Sequence, residues 1–282
     1  MDEATGILAA KQLQGKPLSY NNIADADAAV ACVRAFSQPA CVIVKHANPC
    51  GVAVAKTITQ AFSRAFQADS LSAFGGVVAL NQPCTEETAA AITHVFTEVV
   101  IAPAYSTEAL KQLATKPNLR VLEADVFAFK TFYEYKSVEG GFLIQEKDTR
   151  ILTKENLNIV TTKEPTPSEM EGMLFAWQVL KHIKSNAILL TKENTTVGVG
   201  AGQVSRVDAV DIAVRKAGDN IKGSLLASDA FFPFRDSIDR IADTGIRAVI
   251  QPGGSIKDNE VIAACNEHGI AMVFTGIRCF KH

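Results

Sequence analysis

Apolar residues recur at three- and four-residue spacing over residues 21–37, at Ile23, Ala26, Ala29, Val30, Val33 and Phe36, which predicts a helix. The spacing then gives way to an unbroken β-branched run, Cys41-Val42-Ile43-Val44, which predicts a buried strand ending abruptly in Lys45-His46. A Pro49-Cys50-Gly51 turn leads into a second short strand over residues 52–55. Thr57 and Gln60 form a capping-box pattern ahead of a helix carrying Ile58, Ala61, Phe62, Ala65 and Phe66. A strand over 72–80, a helix over 85–96, a strand over 98–102 stopped by Pro103, a helix over 107–115 and a strand over 119–123 follow.

Residues 124–166 carry Phe127, Phe129, Phe132, Tyr133 and Tyr135 among small and polar positions and are broken by Gly140-Gly141, so they read as an edge strand plus a connection. Helical spacing returns over 168–183, with Ser168 and Glu171 as its capping pair. Strands are then expected over 187–190, 196–201, 224–227, 248–251 and 270–274, with helices over 206–217, 237–244 and 259–268. Both halves therefore run helix, strand, strand, helix, strand, helix, strand, helix, strand. Gly51 and Gly198 lie 147 residues apart, and Pro103 and Pro252, each ending a strand, lie 149 apart. This near-constant offset implies a duplicated α/β unit, residues 1–150 and 151–282. In each unit the first two strands should pair antiparallel and the later ones, alternating with helices, should be parallel, giving a mixed sheet.

With 282 residues, 48% of them hydrophobic, the chain can bury a large core. Twenty-eight basic and 30 acidic residues leave a net charge of −2, so no global field favours nucleic acid or an acidic membrane, and any phosphate must be bound locally. The six cysteines form no C-x-x-C pair and several sit in apolar runs, as in a reducing, cytoplasmic setting. Met1-Asp2-Glu3 is acidic where a signal peptide would be basic, and no apolar run approaches the roughly 18 residues that span a bilayer.

A cation beside an imidazole at the end of a buried strand is a frequent location for chemistry in α/β proteins, the bland alternative being a polar strand lip. No His-x-Glu or C-x-x-C occurs, so the zinc signature of a nucleobase deaminase is absent, and there is no phosphate-binding G-x-x-x-x-G-K. Gly198 and Gly200 offer close approach between a strand and the helix opening at Arg206, where an arginine and free N–H groups suit a phosphate. Ser228-Asp229-Ala230-Phe231-Phe232-Pro233-Phe234-Arg235-Asp236 reads as a loop offering aromatic faces to a flat ring, or as a loop anchored in the core. Considered alone, Asn186 is a helix C-terminal residue and Arg278 a solvated charge.

Taken together, VKHANPCGVAV, SAFGGVVAL, VIAP, KSNAI, GVGAGQVSRVDA, SDAFFPFRD, VIQPGGSIKDNEVI and FTGIRCFKH resemble the formyltransferase portion of the AICAR transformylase/IMP cyclohydrolase family, from Gly15 to His282. The resemblance implies an α/β fold of two duplicated cytidine-deaminase-like α/β/α subdomains with mixed sheets. It also implies transfer of a formyl group from the co-substrate 10-formyltetrahydrofolate to AICAR, in a homodimer whose active sites lie between subunits, and it leaves a structural potassium ion open. Lys45 and His46 match the family's catalytic pair. Asn186, Arg206, Phe231 and Arg278 match positions holding the AICAR nucleotide, as do Gly75 and Glu98, the latter standing where some relatives carry Asp. Val207, Asp236, Ser255 and Ile256 match folate-side positions. An imidazole of unperturbed pKa around 6.5 suits removal of the amine proton, and an ammonium suits the oxyanion formed at the formyl group.

Family members carry a cyclohydrolase domain ahead of this region, then an Arg-Tyr-Gly segment reaching the other subunit's nucleotide. Neither is found in these 282 residues. The expectation is a truncated or naturally short form without cyclohydrolase activity and with weakened AICAR binding. Two other readings stay open: a nucleotide-binding fragment that dimerises without turnover, and, by fold analogy alone, a metal-free nucleotide deaminase.

Overall fold

In the computed structural model, residues 6–128 and 133–282 are described. The first half runs β1 (Lys11–Gln14), α1 (Tyr20–Val33), β2 (Ala40–Lys45), β3 (Asn48–Val54), α2 (Ile58–Ala68), the single turn α3 (Ser70–Ala73), β4 (Gly76–Leu80), α4 (Glu86–Thr93), β5 (Thr97–Ala102), α5 (Thr107–Leu113) and β6 (Arg120–Glu123). A hairpin of β7 (Tyr133–Val138) and β8 (Gly141–Glu146) follows, then β9 (Asn158–Ile159). The second half runs α6 (Pro167–Leu180), β10 (Ile188–Lys192), β11 (Thr195–Gly200), α7 (Arg206–Ala217), β12 (Leu225–Ser228), α8 (Asp236–Ile241), β13 (Ala248–Gln251), α9 (Asp258–Glu267) and β14 (Ala271–Phe274).

The result is an α/β fold on one mixed sheet of twelve strands, ordered β1-β6-β5-β4-β2-β3-β11-β10-β12-β13-β14-β9. Outward from the central β3–β11 seam, each side shows an antiparallel hairpin, an antiparallel pair, two parallel pairs and an antiparallel outer strand. Where two sheets were expected, the halves share one, because Thr195 aligns with Ala53 and the Thr196 hydroxyl accepts from the Val52 N–H at 2.9 Å. Alternation along the central strands sorts the core into layers: Val42 and Val44 face α1 and α6, while Cys41 and Ile43 face α2 and α4. A third cluster lies between the second half's strands and α7, α8 and α9. No helix among the described residues is long and apolar enough to cross a membrane.

Close packing of helices on the central strands rests on glycine. A Cβ at Gly51 would stand 2.0 Å from the Ala65 carbonyl oxygen, and one at Gly198 2.2 Å from that of Ala213, so the close approach expected at Gly198 is present.

Several expectations need correction. The strand placed over 72–80 starts at Gly76, because Asp69 caps the N–H of Ser72 and turns the preceding residues into α3. Helix α6 opens at Pro167 with Thr166 and Glu169 as its reciprocal cap, two residues before the expected Ser168 and Glu171. The tight turn after Lys45 is His46-Ala47, and Pro49 already lies in the return strand. Strands β1 and β9 were not expected. In the stretch 124–166 the aromatic residues of 133–146 form a separate two-stranded sheet, and Phe129 and Phe132 lie outside the described residues.

Candidate active site

Lys45 pairs with Asn48 at the closed end of the β2–β3 hairpin, leaving His46 and Ala47 as its two loop residues, with φ of 52° and 58°. Two left-handed residues match the right-handed twist of the flanking strands, but side chains with a Cβ adopt that conformation at a penalty of roughly 1–2 kcal/mol each. The neighbourhood holds them there. The Asp25 carboxylate on α1 accepts from the backbone N–H of Ala47 at 2.6 Å and of His46 at 3.3 Å. The Asn48 amide donates to the His46 carbonyl at 3.2 Å, and its oxygen accepts from the Lys184 N–H at 2.9 Å, tying the hairpin to the second half. His46 is exposed and its ring nitrogens make no hydrogen bond among the described residues.

Behind it, the Lys45 ammonium donates to the carbonyls of Phe74 at 3.0 Å and Gly75 at 2.8 Å, which leaves one N–H for a ligand. Gly75 has φ of 66°, and a Cβ there would lie 3.1 Å from both the Lys45 nitrogen and the Phe96 ring. Only glycine fits this corner without displacing the lysine.

The second half supplies a polar cluster built around a buried ion pair. Arg206, the first residue of α7, turns its guanidinium inward onto Asp229, and also donates to the Ala187 carbonyl at 3.1 Å and the Asn186 amide oxygen at 2.8 Å. The Asn186 NH₂ donates to the Gln203 carbonyl at 2.8 Å, and the other Asp229 oxygen accepts from the Ser185 hydroxyl. Asn186 is therefore a connection residue beyond α6, not a helix terminus. The C-terminal segment closes over this cluster: Cys279 N–H donates to the Asp229 carbonyl at 3.2 Å, and Ser185 N–H to the Lys281 carbonyl at 2.9 Å. That path brings the exposed Arg278, stacked 5.6 Å from the Phe280 ring, back toward Asp229. Phe231 is half-buried, Phe232 fully buried and Phe234 exposed, so the aromatic loop is both anchored and presented. Val207 is half-buried beside Arg206; Asp236 opens α8 and is exposed; Ser255 accepts from the Lys257 N–H at 3.1 Å, and Ile256 is almost fully exposed.

Strand register places all of these on one edge of the sheet. Val44 aligns with Val77 and Gly76 with Thr97, which brings Lys45, Gly75 and Glu98 to that edge. Ile188 aligns with both Gly200 and Ser228, and β13 and β14 run parallel to β12, which brings the second-half residues to the same edge. They are not all within one ligand's reach. Strands are spaced about 4.8 Å apart, so Gly75 and Glu98 stand on the order of 20 Å from Asn186 along the edge, farther than a mononucleotide extends. The Glu98 carboxylate is moreover engaged by Arg120 at 2.6 Å.

A family model described as the AICARFT/IMPCHase bienzyme matches residues 1–216. The chain belongs to this family. It is also 55% identical over 284 residues to the bifunctional purine biosynthesis protein PurH of Aquifex aeolicus (strain VF5), an alignment covering 99% of this chain and 55% of that protein. The chain thus spans about half the length of the curated relative it matches.

Within this member of the AICARFT/IMPCHase family, Asp25, Asn48, Ser185 and Asp229 shape the site without having been picked out as site residues. Asp229 stood inside a noted motif, but Asp25 is one acidic residue on the polar side of a helix and carries no signal. Among the described residues no three His, Cys, Asp or Glu side chains form a metal-ligating group. All six cysteines are free and buried, and burial pushes the thiols of Cys32, Cys50, Cys84 and Cys265 up to about 12, so they are protonated and unreactive at neutral pH.

Proposed function

We propose that this chain is the formyltransferase portion of its family, carrying the formyl group of 10-formyltetrahydrofolate to the 5-amino group of AICAR to give FAICAR in IMP synthesis. The observation that supports this most is the hairpin tip: an exposed imidazole free of hydrogen bonds among the described residues, on a turn whose backbone N–H groups are held by Asp25, beside an ammonium with one donor to spare. In the proposed step the amine nitrogen attacks the formyl carbon and His46 takes the amine proton. Lys45 donates its remaining N–H to the oxyanion, and the bond from carbon to the folate nitrogen then breaks as that nitrogen is protonated. Asn186, Arg206, Phe231 and Arg278 hold the nucleotide, while Val207, Asp236, Ser255 and Ile256 line the folate side. Because Asp229 already neutralises Arg206, the guanidinium offers its free edge rather than a bare charge.

The separation of Gly75 and Glu98 from the Asn186 cluster favours a site completed by a second copy, in a homodimer. The mirrored strand order favours a duplicated, cytidine-deaminase-like origin, with one unit over 1–150 and the other over 151–282.

The test separates the family's two activities. With AICAR and 10-formyltetrahydrofolate, tetrahydrofolate should accumulate; with FAICAR alone, no IMP should form. IMP formation without formyl transfer would assign the chain to the other portion.

A further inference from the structure

Four non-glycine residues among those described have a positive φ, and they form two pairs: His46 and Ala47 at 52° and 58°, and Glu193 and Asn194 at 49° and 55°. The second pair lies 147 residues after the first, the offset that also separates Gly51 from Gly198. The likeness extends beyond the turn. Lys192 pairs with Thr195 to close the β10–β11 hairpin as Lys45 pairs with Asn48. The Lys192 ammonium donates to the Lys222 carbonyl at 2.9 Å, as that of Lys45 donates to Gly75, again 147 residues earlier. The two tips stand at opposite edges of the sheet. Strand β10 leaves the candidate-site edge at Ile188, and its tip arrives beside the end of β3, where the Val54 N–H donates to the Asn194 carbonyl at 3.0 Å.

Around this second tip lies a groove of about 590 Å³ that formyl transfer does not use, lined among others by Val54, Lys56, Gln60, Arg64, Glu193 and Asn194. Shifted by 147 residues, Lys56 and Gln60 stand at the places of Gln203 and Val207, which flank the first cluster. Lys56 is exposed, and its ammonium makes no ion pair or hydrogen bond among the described residues. Arg64 donates through Nη2 to the Glu193 carbonyl, with the Glu193 carboxylate 3.6 Å away, which leaves its Nε and Nη1 donors open. Two features of the first cluster have no copy here: Glu193 replaces the imidazole, and α2 opens with Ile58 where α7 opens with Arg206.

We propose that this groove is a second, non-catalytic ligand site, which takes a phosphate monoester of nucleotide size. Two cations with donors to spare, against a single carboxylate, select an anion, and a guanidinium fork beside an ammonium suits phosphate. The volume falls within the roughly 300–1,000 Å³ of small-molecule sites and exceeds what inorganic phosphate fills. No imidazole stands at the tip to take a proton, so the ligand is held without turnover. The site rests on its own geometry, whether or not Lys45 and His46 transfer a formyl group.

The experiment is calorimetric titration of the full chain with adenosine 5′-monophosphate, adenosine and inorganic phosphate, with circular dichroism as the check on folding. The expected result is a monophosphate-binding component that Lys56→Ala/Arg64→Ala weakens at least about tenfold and that Arg278→Ala, in the first cluster, leaves within about twofold. Glu193→Gln removes the like charge beside the phosphate and should tighten the same component about threefold, a gain that misfolding cannot imitate. No binding up to about 10 mM would overturn the proposal, as would binding lost in Arg278→Ala but intact in the double variant. So would adenosine or inorganic phosphate binding as tightly as the nucleotide. Formyl transfer measured in parallel keeps the two readings apart. Binding at this groove without transfer removes only the proposed activity, and transfer with no binding here removes only the second site.

Discussion

Replacing Asp229 by alanine should destabilise the protein far more than a surface change would, and the structure sets the scale. The side chains of Arg206 and Asp229 are 7% and 0% exposed, and the carboxylate binds both the guanidinium and the Ser185 hydroxyl. Without it, Arg206 keeps two neutral acceptors, the Ala187 carbonyl and the Asn186 amide, for a full buried charge. Breaking a buried pair from one side costs about 3–5 kcal/mol, mostly the desolvation of the partner left behind. Removing both charges, as in Arg206→Met/Asp229→Ala, should restore much of that loss, so the double variant should be more stable than Asp229→Ala alone. Urea unfolding of the native chain, both single variants and the double variant closes the cycle. A loss below about 1 kcal/mol in Asp229→Ala, or a double variant equal to the sum of the singles, would refute the claim that this pair organises the cluster.

Three further outcomes follow from the same geometry. Asp25→Ala should lower kcat for formyl transfer by about tenfold with little change in KM for AICAR, because the hairpin tip loses the acceptor for two N–H groups while the nucleotide cluster is untouched; steady-state kinetics decides. Gly51→Ala should destabilise by about 1–3 kcal/mol in urea, since its new methyl would lie 2.0 Å from the Ala65 carbonyl oxygen in α2. Burial, reinforced by Lys281 and Lys181, lowers the His182 pKa from 6.5 to about 3, so between those values the unfolded chain binds a proton that the folded chain refuses. Its contribution is complete above pH 6.5 and is lost as pH falls toward about 3; from pH 6.5 down to 4 the native chain should lose stability faster than His182→Gln, by at most about 1.4 kcal/mol per pH unit.

What could be read from the sequence followed from strong periodicity. Helix α7 and the strands β2, β5 and β13 carry dense apolar patterns and match the expected bounds nearly to the residue, because burial on one or both faces dictates their composition. The outer strands β1 (KQLQ) and β9 (NI) are short, polar edges, and nothing in such segments separates a strand from a loop. Ser168/Glu171 and Thr166/Glu169 satisfy the same capping pattern, and Pro167 at the first helical position decides between them. The His46-Ala47 turn was hidden because left-handed pairs are usually Asn-Gly, whereas Pro49 and Gly51 look like turn residues. Lys45 and His46 were legible as a strand end and through the family resemblance. Asp25 and the Ser185–Asp229 contact were not, since each depends on segments brought together only by the fold.

The central claim is that Lys45 and His46 at the hairpin tip carry formyl transfer. The most direct measurement is tetrahydrofolate release from 10-formyltetrahydrofolate in the presence of AICAR, comparing the native chain with His46→Ala and Lys45→Ala. Loss of general acid–base help lowers rates by about 10²–10⁴. The account predicts a loss of that order in His46→Ala, and a comparable one in Lys45→Ala, with both variants folded. Turnover within about twofold of native in His46→Ala would contradict it, and would move the chemistry away from the hairpin.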